Sequence, residues 1–533
     1  MSESGAMSAS DAAADAQRNS PPGALPPLVG MSVVLGTIAL ALATFMNVLD
    51  TSIANVSIPA IAGDLGVSPD KGTWVITSFA VANAISMPLT GWLTRRLGQV
   101  RLFVASTILF VISSMMCGLA PTFSLLVLFR ALQGLVAGPM IPLSQALLLA
   151  SYPKSKAGAA LGVWSMTTLV APVVGPVLGG WITDNISWPW IFFINVPVGI
   201  VAAGVTWAIY RRRETPTVKL PIDKIGLGLL VIWVGALQIM LDKGKDLDWF
   251  GSTFIVVLAI IAAISFVVFI VWELTDKHPV VDLSLFRDRN FTVSTIAMSI
   301  GYGLFFGNVV LLPLWLQEYM GYTATLAGWV LAPVGVFAIL LTPMVGRLVD
   351  RLDPRWFVTA SFLVFALVMF MRSDFNTLAS FDTLLIPTLV QGVAMATFFI
   401  PLLTLAFSGL EAERIASASG LLNFTRLSAA SFATSITTTL WSRRAALHHA
   451  QLVWSLTANP QVQRFMAQMH ARGLSMQQGA FLLNRMINDQ AYMLSADDIF
   501  WVSGYLFVAL AFLIWLARPG KKNLSAEVSA GAH

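Results

Sequence analysis

Fourteen apolar stretches, each about as long as the 20 residues that a helix needs to cross a bilayer's hydrocarbon core, run along this chain of 533 residues. They centre on residues 31–60, 73–93, 102–120, 124–149, 158–183, 190–210, 225–241, 252–272, 292–316, 325–346, 356–372, 384–409, 416–441 and 497–517. Segments of this kind suit a bilayer and not water, so the chain reads as an all-α, multi-span membrane protein. Composition agrees: 11% of the residues are charged, against about a quarter in soluble domains. The net charge of +5 is what Lys- and Arg-rich cytoplasmic loops give a helical membrane protein, so nucleic acid is not the expected partner and the lipid bilayer is. Cys117 is the one cysteine and lies in an apolar run, which excludes an intrachain disulfide and a thiolate metal cluster. His278, His448, His449, His470 and His533 all fall in loops or the tail. No metal cluster, phosphate-cradling Gly loop or Ser/His/Asp arrangement stands out, so neither an enzyme nor a cofactor is expected.

An even number of spans puts both termini on one side. Counted by alternate connections, 21 Lys and Arg fall on that side and nine on the other, with Arg130 and Arg426 inside spans. The positive-inside bias therefore makes both termini cytoplasmic. Residues 1–30 lack the basic start and apolar core of a secretory signal and read as a disordered cytoplasmic tail; residues 519–533 form a second tail. The longest connection, 443–496, is expected on the external face as a polar loop with amphipathic pieces, a candidate for partner docking.

The chain also repeats itself. Pro88-Leu-Thr-Gly91-Trp-Leu-Thr-Arg95-Arg96 is echoed by Pro343-Met-Val-Gly346-Arg-Leu-Val-Asp350-Arg351, and Gln133-Gly134 with Ile141-Pro142-Leu143 by Gln391-Gly392 with Ile400-Pro401-Leu402. Two parallel six-helix halves follow, 31–210 and 292–518, with linkers and two inserted helices at 211–291. Parallel repeats around a central site are a transporter architecture.

Within the spans, Asp50 is the first candidate, because a carboxylate there is costly unless it meets a cavity or a partner. Asn47, Thr51 and Asn55 are expected to share its helix face and to line a watery path. Arg130 lies roughly 13 Å into span 4 at 1.5 Å per residue, in the same outer half as Asp50, and Gln133 follows one turn later. The pair reads as a proton-coupling element, with Arg130 biasing Asp50 and never releasing its own proton, or as a purely structural ion pair. Arg426 has no evident acidic partner; backbone, a substrate anion and the cytoplasmic interface all remain open to it. A chamber for amphipathic compounds needs aromatic, Met and a few polar groups, which makes Asn47, Asn83, Gln133, Trp164, Met166, Phe305, Phe306, Asn308 and Phe399 candidates for its lining, with Phe398 beside them.

Leu49-Asp50-Thr51, Thr73-Trp74, Arg130-Ala-Leu-Gln133-Gly134, Gly175-Pro176-Val-Leu-Gly179-Gly180 and Trp190-Ile-Phe-Phe-Ile-Asn195-Val-Pro197 together resemble the major facilitator superfamily, and with fourteen spans its drug/proton antiporters. Residues 31–518 resemble the EmrB-type pumps throughout, including Leu237-Gln-Ile-Met-Leu-Asp242 and Ser435-Ile-Thr-Thr-Thr. The resemblance implies proton-driven export of hydrophobic drugs across a bacterial inner membrane, with an EmrA-like periplasmic adaptor and a TolC-like outer-membrane channel as partners. It also implies an antiporter motif at Gly175, Pro176, Gly179 and Gly180, and gating loops at Gly91, Arg96, Gly346 and Asp350. Arg95 stands where that family usually has an acid, so a charge-based gate must be lopsided here. A proton-independent carrier of lipid-like or nutrient substrates is the alternative with the same fold.

Overall fold

All fourteen apolar stretches are helical, and no strand occurs among the described residues. The computed structural model describes residues 27–519 apart from 154–155, 220, 222, 278 and 457–459, so the two expected tails fall largely outside it. The first half comprises α1 (Met31–Asp64), α2 (Trp74–Ser86), α3 (Thr90–Leu97), α4 (Gln99–Gly118), α5 (Phe123–Ala137), α6 (Met140–Ser151), α7 (Ala157–Asn185) and α8 (Asn195–Tyr210). The inserted pair is α9 (Lys224–Lys243) and α10 (Thr253–Thr275). The second half comprises α11 (Arg289–Glu318), α12 (Ala324–Leu331), α13 (Pro333–Val349), α14 (Pro354–Arg372), α15 (Phe381–Phe407), α16 (Ile415–Leu456), α17 (Pro460–Ala471) and α18 (Met476–Leu513).

Among the described residues, eleven helices or continuous helix pairs are long and apolar enough alone to cross a membrane, and twelve if α2 and α3, bent by 61°, count as one. The two remaining apolar stretches are occupied by α7 and α16, of 29 and 42 residues. Helix is the outcome because a backbone in hydrocarbon must satisfy its hydrogen bonds within the segment. Local chemistry sets the ends. The side chains of Thr122, Asp223, Asp288, Thr323, Asp353, Ser380 and Ser475 each accept a backbone N–H in the first turn of the helix that follows, which answers donors a helix start leaves open.

Packing repeats between the halves. In the first, α1 lies on α7, α2 on α5, and α8 on both α1 and α4; in the second, α11 lies on α16, α13 on α15, and α18 on both α11 and α14. The halves meet where α7 crosses α13 and where α16 crosses α3 and α6. Helix α9 straddles them. Thr77 of α2 donates to Asp242 at 2.5 Å, and Ser435 of α16 donates to the Leu241 carbonyl at 2.7 Å. Helix α10 packs on α9 and exposes Val257, Ile260, Ile264, Val267, Val271 and Leu274, a surface suited to lipid.

Two expectations need correction. The connection 443–496 is mostly helical: α16 continues to Leu456, α17 follows, and α18 starts at Met476. At 1.5 Å per residue α16 is about 63 Å long, roughly twice the hydrocarbon thickness, so it and α18 extend together well past the core as a hairpin capped by α17. Arg444 and His448 of α16 bind Asp498 of α18 at 2.5 and 2.7 Å and tie its base. Arg372, one of the nine cations assigned by the alternate-connection count to the outer side, is instead 1% exposed and donates to Gln391 at 2.6 Å.

A side chain at Gly134 would overlap the Phe79 carbonyl, because α2 and α5 cross there backbone to backbone. Gly134→Ala is expected to destabilise the first half by about 1–3 kcal/mol, read as an earlier thermal unfolding transition of the detergent-solubilised protein; an unchanged transition would mean the crossing is looser than described.

Candidate functional site

A charge inside a bilayer persists only where partners replace its water, and Asp50 has three. Arg130 donates through Nη1 to Oδ2 at 2.5 Å, while Gln133 and Asn195 donate through their amides to Oδ1 at 3.1 and 2.9 Å. Asp50 is 2% exposed and Arg130 is fully buried. The helices arrange this simply: α1 brings the acid, α5 brings Arg130 and Gln133 one turn apart, and α8 begins with Asn195. A second layer holds the partners. Arg130 Nε donates to the Val75 carbonyl at 3.0 Å, its Nη1 also reaches Gln133 Oε1 at 2.8 Å, and Asn195 also donates to Ser114 at 3.0 Å. The guanidinium lies 4.3 Å from the Phe79 ring centroid and 5.5 Å from that of Phe192, whose π faces favour a cation. The Nη2 atom of Arg130 is buried without a hydrogen-bond partner.

The expected polar stripe divides. Asn47 is buried and donates to the Ala137 carbonyl at 3.2 Å, Thr51 is half-buried, and Asn55 is exposed. Asp50 on α1 thus takes all its hydrogen-bond partners from α5 and α8 of the first half. Asn195 is the hydrogen-bond partner of Asp50 that sequence reasoning did not assign. The available signal was a lone amide in the apolar motif Trp190–Pro197, quoted only for its resemblance.

The expected chamber residues also separate. Trp164 is 1% exposed and donates to Ser144 at 2.9 Å, and Asn308 is 1% exposed, donating to the Leu304 carbonyl at 2.6 Å and Ser503 at 3.3 Å. Both are packing residues of their own halves, and Gln133 belongs to the Asp50 network. Asn83 is buried with its Oδ1 unpartnered, Met166 and Phe305 are half-buried, and Phe306 is exposed. Phe399 is buried beside Phe398 at 4.9 Å between ring centroids and stands 5.8 Å from the ring of Tyr302.

In α7, a side chain at Gly175 would overlap Ser52, and one at Gly179 would stand 3.0 Å from the Ile53 carbonyl oxygen. Glycine at these two positions lets α7 press against α1 within one turn of Asp50. Gly180 is nearly open, with Val56 3.9 Å away, and the side chains of Pro172 and Pro176 lie outside the described residues.

The two repeated loops close one end of the bundle differently. Gly91 abuts Ser417 of α16, and the Arg96 guanidinium lies 5.3 Å from the Trp92 ring. In the other copy, Gly346 lies against the Gly158 backbone, and Asp350 Oδ1 accepts the Gly158 N–H at 2.9 Å. Asp350 thereby caps the start of α7 across the seam, a favourable place for an anion at a helix N-terminus. Partial burial pushes its carboxyl above the usual 3.8, against the Gly158 and Ala159 N–H groups that pull it down. Of the two copies, the second carries the acid, Asp350, that bonds across the seam, while the first has Arg95 at the position where the family usually has one.

The family model for the Major Facilitator Superfamily matches residues 40–434. The chain belongs to that superfamily; it is a multi-pass membrane transporter and not an enzyme. It is 52% identical to the multidrug export protein EmrB of Escherichia coli strain K12 over 92% of this chain and 97% of that protein. It is 48% identical to the fatty acid resistance protein FarB of Neisseria gonorrhoeae over 93% and 98%. Among solved structures, a double Trp mutant of XylE shares the fold at a TM-score of 0.56 and 15% identity, over 94% of this chain and 99% of that one.

Arg130→Ala would leave the Asp50 carboxylate buried and uncompensated, a loss expected at about 3–5 kcal/mol of stability. Combining it with Asp50→Asn removes the orphaned charge and is expected to recover a large part. A double-mutant cycle on thermal or denaturant unfolding checks this, and strictly additive losses would contradict direct coupling.

Proposed function

We propose that this protein exports hydrophobic drug-like compounds across a bacterial inner membrane in exchange for protons, by alternating access of its two halves. What carries the reading is Asp50, the buried carboxylate shared among Arg130, Gln133 and Asn195. A proton taken up by Asp50 cancels the charge that balances Arg130, whose own proton stays bound. The guanidinium then has reason to seek another acceptor, and its unpartnered Nη2 is already available for one. Helices α1, α5 and α8 hold all four side chains, so protonation shifts their relation, and the close α1–α7 contact at Gly175 and Gly179 passes the shift to the helix that meets the other half.

Asp50 is held by first-half side chains alone, so a drug bound between the halves and the proton need not share a site. Proton release inward follows drug departure outward, and reprotonation from an acidic exterior resets the cycle. Opening the other end requires Asp350 to release the start of α7 and Gly91 to part from Ser417. The names of the relatives, multidrug export and fatty acid resistance, support the substrate side. We further propose an EmrA-like periplasmic adaptor and a TolC-like outer-membrane channel as partners, with both termini cytoplasmic and the helical extension of α16–α18 contributing to the docking surface.

Inverted vesicles carrying the protein and energised to an acidic lumen provide the test, with a pH dye following proton release as a panel of hydrophobic compounds is added. Compound-dependent release is expected from the natural protein and is expected to vanish in Asp50→Asn. Release retained by that variant removes Asp50 as the carrier; no release from the natural protein removes proton antiport.

A further inference from the structure

Arg426 is the one buried guanidinium of the spans that lacks an acceptor among the described residues. Arg130 has Asp50, Gln133 and the Val75 carbonyl, and Arg372 has Gln391 and Thr388. Arg426 is 6% exposed, and its Nε is buried without a partner. What it does have are aromatic faces: the Tyr302 and Phe399 ring centroids lie 4.9 and 5.4 Å from its guanidinium carbon. Rings stabilise the cation's plane and leave its N–H edge unanswered. A buried charge kept in this condition carries a large desolvation cost unless an anion arrives to meet it.

Its position faces the other half. On α16, Ser419, Asn423 and Arg426 follow at one-turn spacings along one helix face. Ser419 and Asn423 both donate to Gln145 of the first half, the latter at 3.2 Å, and so form part of the seam. Arg426 is one turn beyond that seam, where the first half makes no hydrogen bond to it. Asn423 Oδ1 is unpartnered beside it.

We infer that Arg426 anchors the carboxylate of the transported compound, so that the preferred substrates are amphiphilic organic anions whose apolar body lies against Tyr302 and Phe399. The inference rests on the reading of the inter-half space as the drug path. The planar N–H edge of arginine matches a carboxylate two bonds at a time, which a lysine ammonium does not.

Binding of three matched fluorescent probes, 2-naphthoxyacetate, 2-naphthoxyethanol and 2-naphthoxyethylammonium, to the full chain in lipid nanodiscs tests it without a proton gradient. The natural protein is expected to bind the acid at least about tenfold more tightly than the alcohol, the scale of one charged hydrogen bond, and the ammonium least. Arg426→Gln is expected to erase that preference while still binding the alcohol, and Arg426→Lys to keep a reduced preference. Equal binding of acid and alcohol by the natural protein, or a preference that survives Arg426→Gln, overturns the anion site and leaves proton antiport standing. Binding of none of the three removes the inter-half space as the drug path, and the anion site with it.

Discussion

The ion pair between Asp50 and Arg130 constrains everything around it. Two charges of opposite sign in a bilayer-spanning bundle are tolerable only at hydrogen-bond distance and only if their remaining valences are met, and the first half is built to meet them. Gln133, Asn195 and the Val75 carbonyl complete the inner ring, Ser114 holds Asn195, and Phe79 and Phe192 face the guanidinium. The glycine at 134, where α2 and α5 cross backbone to backbone, brings the Phe79 ring and Arg130 together. Such a pair contributes little net stability compared with an apolar substitute of the same shape. In the proposed cycle its value lies in being switchable, because one proton changes the charge of Asp50 and of nothing else in the ring.

The two halves share a helix order yet divide the labour. The first holds the acid. At the equivalent place in the second, Arg372 leans on Gln391, the repeat counterpart of Gln133, with no ion pair to an acid among the described residues. At the seam the roles reverse: the second half supplies Asp350 to cap α7, while the first supplies Gly91, which makes a steric contact with Ser417. A duplicated frame has therefore kept its packing and distributed its charges unequally. The inserted helix α9 joins the halves through Asp242 and Leu241, so the two motifs Leu237–Asp242 and Ser435–Thr439, distant in sequence, are one contact in space.

Much of this was legible in the residues. Helical spans follow from the bilayer's demand on the backbone, and the repeat offset followed from paired Pro, Gly and Gln positions. Equal depth in antiparallel spans was enough to bring Asp50 to Arg130. Depth alone does not fix rotation about a helix axis, so it could not separate Asn47 and Asp50 from the exposed Asn55, or tell that Trp164 and Asn308 point into their own halves. Asn195 escaped because a single amide in an apolar run looks alike whether it packs or acts. Residues 443–456 read as a loop because they are polar, yet their Ala, Leu, Arg and Gln are good helix formers. Arg372 looked like a loop cation because it ends its span, and only the meeting of α14 with α15 reveals Gln391 as its cover.

Infrared difference spectroscopy on the protein in lipid, comparing the natural chain with Asp50→Asn, tests the central claim most directly. The account predicts a carboxylic-acid C=O band that belongs to Asp50, grows as the protein is acidified and is lost when an exported compound binds. A band that Asp50→Asn does not remove, or one indifferent to the compound, would contradict the assignment of proton coupling to this pair.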